Sequence, residues 1–191
     1  MSDLQTTHSA FVAKLFNRTG DLSKDFCHAA LGITTEMREL ALAFAAKDEV
    51  NTLEEGGDLT FFYHAFCLVM QELHPNPDVD VPTVSREVYE AALAMNAQEM
   101  IQTYCTEMHD IAKRWVGYGK APTAEQAVKL VIKMTIVVNI VMMDVFPDTD
   151  REVIMKANMA KLLVRYPGGE FDAFRAVNRD TGAEREALAL H

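Results

Sequence analysis

Three cysteines in 191 residues, Cys27, Cys67 and Cys105, are too few and odd in number for a disulfide framework. They sit in apolar, helix-patterned stretches, so reduced thiols and a cytoplasmic setting are expected. Positive charge is scarce as well. With 18 Lys and Arg against 28 Asp and Glu, the formal net charge is −10. That balance argues against a nucleic-acid partner, which calls for a basic face. It leaves open a nucleotide whose phosphates arrive with a divalent cation. The strongest apolar run, 127–146, is broken by Lys129, Lys133, Asn139 and Asp144, so no membrane partner is expected. The opening MSDLQTTHSA lacks a basic start followed by an apolar stretch, so no secretory leader is expected, and the Asn17-Arg-Thr19 sequon carries no weight. A glycine-rich phosphate loop after a strand, a nucleophile elbow and a Cys/His set of zinc spacing are all missing. Internal repeats, low-complexity tracts and paired strand patterns are missing too.

What the chain does have is helical periodicity. With 49 % apolar residues it can bury a core as one domain, 1–191. The spacing predicts an all-α bundle of about five to seven helices. A short amphipathic segment covers 2–17, with Gly20 as its stop. A second helix covers 21–47, with Leu22, Phe26, Ala30, Ile33, Met37, Leu40 and Phe44 on its apolar stripe. Beside that stripe run Asp25, His28, Gly32, Glu36 and Glu39. A third helix opens at Thr52-Leu-Glu-Glu55, a capping-box match, and carries Glu55, Asp58, Phe62, Phe66 and Val69 on one face. These two form the metal-site region, 21–74. A turn at 74–80 leads to a long helix over 85–116, an inserted element within 75–121, closed by Gly117-Tyr-Gly119. Core and closing helices fill 122–191. Thr123-Ala-Glu-Gln126 is a second capping box and opens 127–146, apolar nearly all round, which suits a bundle centre or a subunit interface. Pro147 ends it, and an amphipathic helix follows over 150–165. The tail has Pro167-Gly-Gly169 and a short terminal helix.

The chemistry concentrates in two carboxylate pairs, Glu36-x-x-Glu39 and Glu55-x-x-Asp58. Residues three apart on a helix are neighbours. If the two helices pack antiparallel, all four acids converge, and their repulsion turns favourable around a divalent cation. A lone E-x-x-E usually marks a solvated face, and Glu55 has a simpler role as its own helix cap. Asp58, leading a buried stripe, still needs a partner. Oxygen-only ligation favours Mg²⁺, with Mn²⁺ as substitute, over zinc. No histidine has a glutamate three positions before it, which argues against a di-iron bundle. His28 shares the acid stripe, as a substrate contact or a structural histidine. His109-Asp110 invites comparison with His-Asp phosphohydrolases, but a lone His-Asp pair on an amphipathic helix is more often an exposed polar pair. Phe11, Phe16, Phe62 and Trp115 offer stacking surfaces for a base, with core packing as the plainer role. Gly32 and Gly56-Gly57 cost helix propensity and permit close approach.

Together these motifs resemble the MazG-like all-α nucleoside triphosphate pyrophosphohydrolases. The resemblance is carried by His28-Ala-Ala-Leu-Gly32, Thr35-Glu36-Met-Arg-Glu39-Leu40 and Leu53-Glu-Glu-Gly-Gly-Asp58-Leu59. Near the end, Asn158-Met-Ala-Lys161-Leu162-Leu-Val-Arg165-Tyr166-Pro167 is similar to that family's closing helix. Two departures are the Gly-Gly in the second motif and the long stretch between His74 and Pro122. The resemblance implies hydrolysis of a nucleoside triphosphate between the α and β phosphates. It implies Mg²⁺ ligation by Glu36, Glu39, Glu55 and Asp58, with Glu39 or Glu36 as the catalytic carboxylate. It further implies substrate contacts from Asn158, Lys161 and Arg165, weaker ones from Asn178, Arg179 and Glu184, and a homodimer or homotetramer. Two readings compete: a metal phosphohydrolase of another pyrophosphate-bearing nucleotide, such as a signalling nucleotide or phosphoribosyl-ATP, and a non-catalytic helical oligomerisation or regulatory protein.

Overall fold

Short polar side chains start the helices, each accepting a backbone N–H that the first turn leaves without a partner. The computed structural model describes residues 3–75 and 96–190. Among these are eight helices and no strand, with 80 % of the residues helical. In order they are α1 (Asp3–Leu15), α2 (Leu22–Ala46), α3 (Glu49–Leu73), α4 (Ala97–Tyr118), α5 (Ala124–Val145), α6 (Arg151–Arg165), α7 (Ala173–Val177) and α8 (Thr181–Leu188). Asp21, Asp48, Asn96, Thr123, Asp150, Asp172 and Asp180 cap α2 through α8. The count exceeds the expected five to seven because the tail folds into two short helices after Pro167-Gly-Gly169.

Two expected boundaries are corrected. α3 does not open with a capping box at Thr52. Its N-cap is Asp48, which accepts from Asn51 N, while the Thr52 hydroxyl donates to the Asp48 carbonyl from inside the helix. Glu55 is thereby freed from capping. The helix expected over 85–116 does not run through Asn96, whose extended backbone (φ −61°, ψ 126°) caps α4 at Ala97. Its remainder at 85–95, and most of the turn expected at 74–80, lie outside the described residues. The capping box at Thr123 and Gln126 is present as read.

α2 and α3 are joined by only Lys47 and Asp48. Lys47 takes the left-handed conformation (φ 58°) that turns the chain back on itself. The two helices run antiparallel: Phe26 meets Phe66, Gly32 meets Phe62, and Glu36 lies opposite Asp58. α3 is the central element, touching α1, α2, α5, α6 and α8. It is buried on most sides, so the face read from the sequence is only one of those it packs. Phe26, Phe66 and Trp115 pack ring on ring at 5.5–5.7 Å among Leu40, Leu59, Met70, Met108, Leu130 and Met134. Each such side chain contributes roughly 1.5–3 kcal/mol on burial. A smaller cluster of Leu15, Leu162 and Tyr166 ties α1 to α6. The three cysteines form no disulfide. Among the described residues no helix is long and apolar enough to cross a membrane.

Candidate functional site

The turn at Lys47–Asp48 sets the register that brings the acids of α2 and α3 together. Helical spacing places Glu36 and Glu39 on the face of α2 that looks at α3. From α3, Glu55 completes a set whose carboxylate oxygens lie within 4.8 Å of one another. Close packing makes this possible. At Gly32 a Cβ would collide with the Phe62 ring, and at Gly56 it would come within 2.7 Å of Phe146. Glycine here serves the approach of one helix to another, which outweighs its helix cost of about 1 kcal/mol.

Crowding shows in the proton affinities. Burial, then the charge of Asp58 and the contact with Glu55, pushes the Glu36 carboxyl up to about 9. Burial raises Glu55 to about 7, against the hydrogen bond it receives from Glu36. The two carboxyls are hydrogen-bonded to each other, and in the absence of a cation both hold a proton more tightly than a free glutamate.

Asp58 lies beside this trio with both oxygens engaged. Oδ1 accepts from Asn158 Nδ2 at 2.8 Å, and Oδ2 accepts from Lys161 Nζ. Lys161 is fully buried and also reaches Glu54 at 3.4 Å. Arg179 bridges Glu54 and Glu184, and Arg165 grips Glu184 with two bonds of 2.9 and 2.6 Å. Burial works to raise the Glu184 carboxyl, but the hydrogen bonds from Arg165 and Arg179 prevail and hold it down at about 2.

These groups surround a cleft of about 290 Å³. Glu36, Glu39, Glu55 and Asp58 form its acidic wall, and Arg165 and Arg179 its basic rim. Phe16, Phe61, Phe62 and Tyr166 supply flat apolar surface. His28 stands exposed at the edge, its ring stacked on Phe16 at 4.8 Å and meeting Phe62 at 5.6 Å.

The structure thus gathers Glu36, Glu39 and Glu55 and lines the cleft with Asp58, His28 and Arg165. Asn158 and Lys161 do not line it; they lie buried behind Asp58. Asp25, on the same stripe in sequence, is elsewhere engaged, its carboxylate held by Arg18 and Thr19. His109 meets Thr34 while Asp110 pairs with Lys113 and Arg114, so the His-Asp couple is not a joint site. Trp115 is core. Sequence reasoning missed Glu54, His8 and His64. Glu54 stands next to a singled-out residue, but no spacing connects His8 with His64. Family models, curated proteins and solved structures offer no match to this chain.

Proposed function

We propose that this protein is a divalent-cation-dependent hydrolase of nucleoside triphosphates, cutting between the α and β phosphates to give a monophosphate and pyrophosphate. The MazG-like motifs imply that reaction. The observation that carries the reading is the convergence of Glu36, Glu39 and Glu55 within 4.8 Å, in a cleft that also bears Arg165 and Arg179. Anionic floor and cationic rim face the same space, as a cation–triphosphate complex requires.

The donor set fits a hard cation. All three ligands are carboxylates, and Glu36 and Glu55 are raised by burial first and by neighbouring acids second, both of which a bound cation would offset. Mg²⁺, or Mn²⁺ in its place, would neutralise phosphate charge and acidify a bound water there. Glu36, Glu39 and Glu55 would hold the ion, while Asp58, held by Asn158 and Lys161, lines the same cleft. Glu39, the exposed member of the trio, accepts the proton of the attacking water on its carboxylate. Arg165 and Arg179 take phosphate oxygens in charge-assisted bonds. Phe16, Phe62 and His28 offer the base a stacking surface.

The test incubates the purified protein with each common NTP and dNTP, with and without Mg²⁺, and identifies the products. Monophosphate plus pyrophosphate, dependent on metal and lost in Glu39→Gln, is the expected result. Diphosphate plus orthophosphate would mean a different bond and a different mechanism. No turnover of any of them by folded protein would move the assignment to another pyrophosphate-bearing nucleotide or a non-catalytic role. Stabilisation by Mg²⁺ would then separate those two.

A further inference from the structure

Both oxygens of Asp58 accept, Oδ2 from Lys161 Nζ and Oδ1 from Asn158 Nδ2. That one fact orders every group behind it. Asn158 must turn its Nδ2–H₂ toward Asp58, so its Oδ1 faces His8 Nε2 at 3.2 Å. An amide oxygen accepts, hence His8 carries its proton on Nε2. Its Nδ1 then accepts, and the partner at 2.8 Å, His64 Nδ1, must donate. Burial keeps both rings neutral, lowering His8 to about 4 and His64 to about 3. The result is a one-way chain of donors, His64 to His8 to Asn158 to Asp58, threading α3, α1 and α6.

The chain is built in rather than incidental. His8, Asn158 and His64 are 0 %, 1 % and 3 % exposed. Gly57 makes its room, because a Cβ there would come within 2.8 Å of the Asn158 Cβ and 3.1 Å of its Nδ2.

We propose that His8 and His64 are positioning residues of the acidic cleft, fixing the Asn158 carboxamide and through it the orientation of Asp58 beside Glu36, Glu39 and Glu55. A reversed carboxamide would set its oxygen against the Asp58 carboxylate and its N–H₂ against the His8 donor. Reversal would therefore require both rings to change tautomer as well, and would leave Asp58 Oδ1 without its donor. Each Asp58 oxygen keeps one lone pair for the cleft. The effect on cation affinity rests on the function proposed above; the order of donors does not.

The test uses the full chain, labelled with ¹⁵N. Long-range ¹H–¹⁵N spectra of the rings should show His8 protonated on Nε2 and His64 on Nδ1. The Asn158 Nδ2 protons should be resolved and slow to exchange. His8→Gln keeps an N–H where Nε2 stands and should retain those signals and the wild-type Mn²⁺ affinity. His8→Phe keeps a ring but no donor; it should shift the Asn158 signals and weaken Mn²⁺ binding by roughly tenfold. A purely packing role would be served by Phe at least as well as by Gln, so rescue by Gln is the discriminating result. If His8→Phe does not fold, His64→Phe frees the second tautomer and should give the same two changes. Opposite tautomers, unmoved Asn158 signals in the Phe variants, or moved signals with unchanged Mn²⁺ affinity would overturn the proposal. If the wild-type protein binds no Mn²⁺, the cation site is refuted, and the tautomers and Asn158 signals alone decide the chain.

Discussion

Lys161 shows how much a single buried side chain can hold. It is 0 % exposed and its ammonium serves both Asp58 and Glu54. Lys161→Met would fill the same space and leave the partly buried Asp58 without its counter-charge, while Glu54 keeps Arg179. Breaking such a pair costs about 3–5 kcal/mol in a fully buried setting, and somewhat less here because both acids retain some solvent. Urea denaturation should show a loss of unfolding free energy of that order, with Asp58→Asn in the same background restoring part of it. At Gly57 the constraint is steric. Gly57→Ala gains helix propensity, yet must displace the Asn158 side chain. We expect a net loss of about 1–3 kcal/mol from overpacking, whereas Gly117→Ala, with open space around it, should be neutral or stabilising. An unchanged melting temperature for Gly57→Ala would show that Asn158 can retreat at no cost.

Among the elements, α3 decides most. Capping at Asp48 rather than Thr52 lengthens it by a turn and releases Glu55 into the cleft. Asp48 also receives Arg185 of α8 at 3.0 Å, so one residue ties the start of α3 to the tail. Asp48→Ala should cost about 1–2 kcal/mol through the lost cap. Thermal melts of Asp48→Ala and Arg185→Ala separate the contributions: the exposed ion pair should add only a few tenths of a kcal/mol. The helix pair α2–α3 was legible in the sequence because apolar residues repeat at helical spacing, with Glu36 and Glu39 beside the apolar stripe of α2 and Glu55 and Asp58 heading an apolar face of α3. The capping box at Thr123 was legible for the same local reason. Asp48 was not, because Thr52-x-x-Glu55 satisfies the same pattern and only packing distinguishes them.

For the whole molecule, opposed proton affinities shape stability against pH. Glu36 and Glu55 bind protons more tightly folded than unfolded, so without a cation the fold loses stability as pH rises from about 4.5 toward 9. His8 and His64 are shifted the other way. Their stabilisation is complete above about 6.5 and is lost as pH falls toward 4 and 3. Glu184 adds a further loss between about 4.5 and 2. Melting temperature should therefore peak on the slightly acid side of neutrality in EDTA. With Mg²⁺ the alkaline arm should rise, because a cation and the shared proton of Glu36 compete for the same oxygens. An alkaline arm indifferent to Mg²⁺ and Mn²⁺ would count against a cation at this place.

Read as a string of residues, the chain determined its class, most of its helix boundaries, and the identity of the acids. Those depend on periodicity and capping, which are local. Tertiary structure alone decided how the acids divide. Glu36, Glu39 and Glu55 face one another, while Asp58 is claimed by Asn158 and Lys161, residues a hundred positions away. It likewise decided that Arg165 and Arg179 share Glu184, and that His8 lies on His64. No spacing rule foretells these pairings. They follow from which helix faces meet once the apolar stripes are buried, and from the need of every buried polar group to find a partner there.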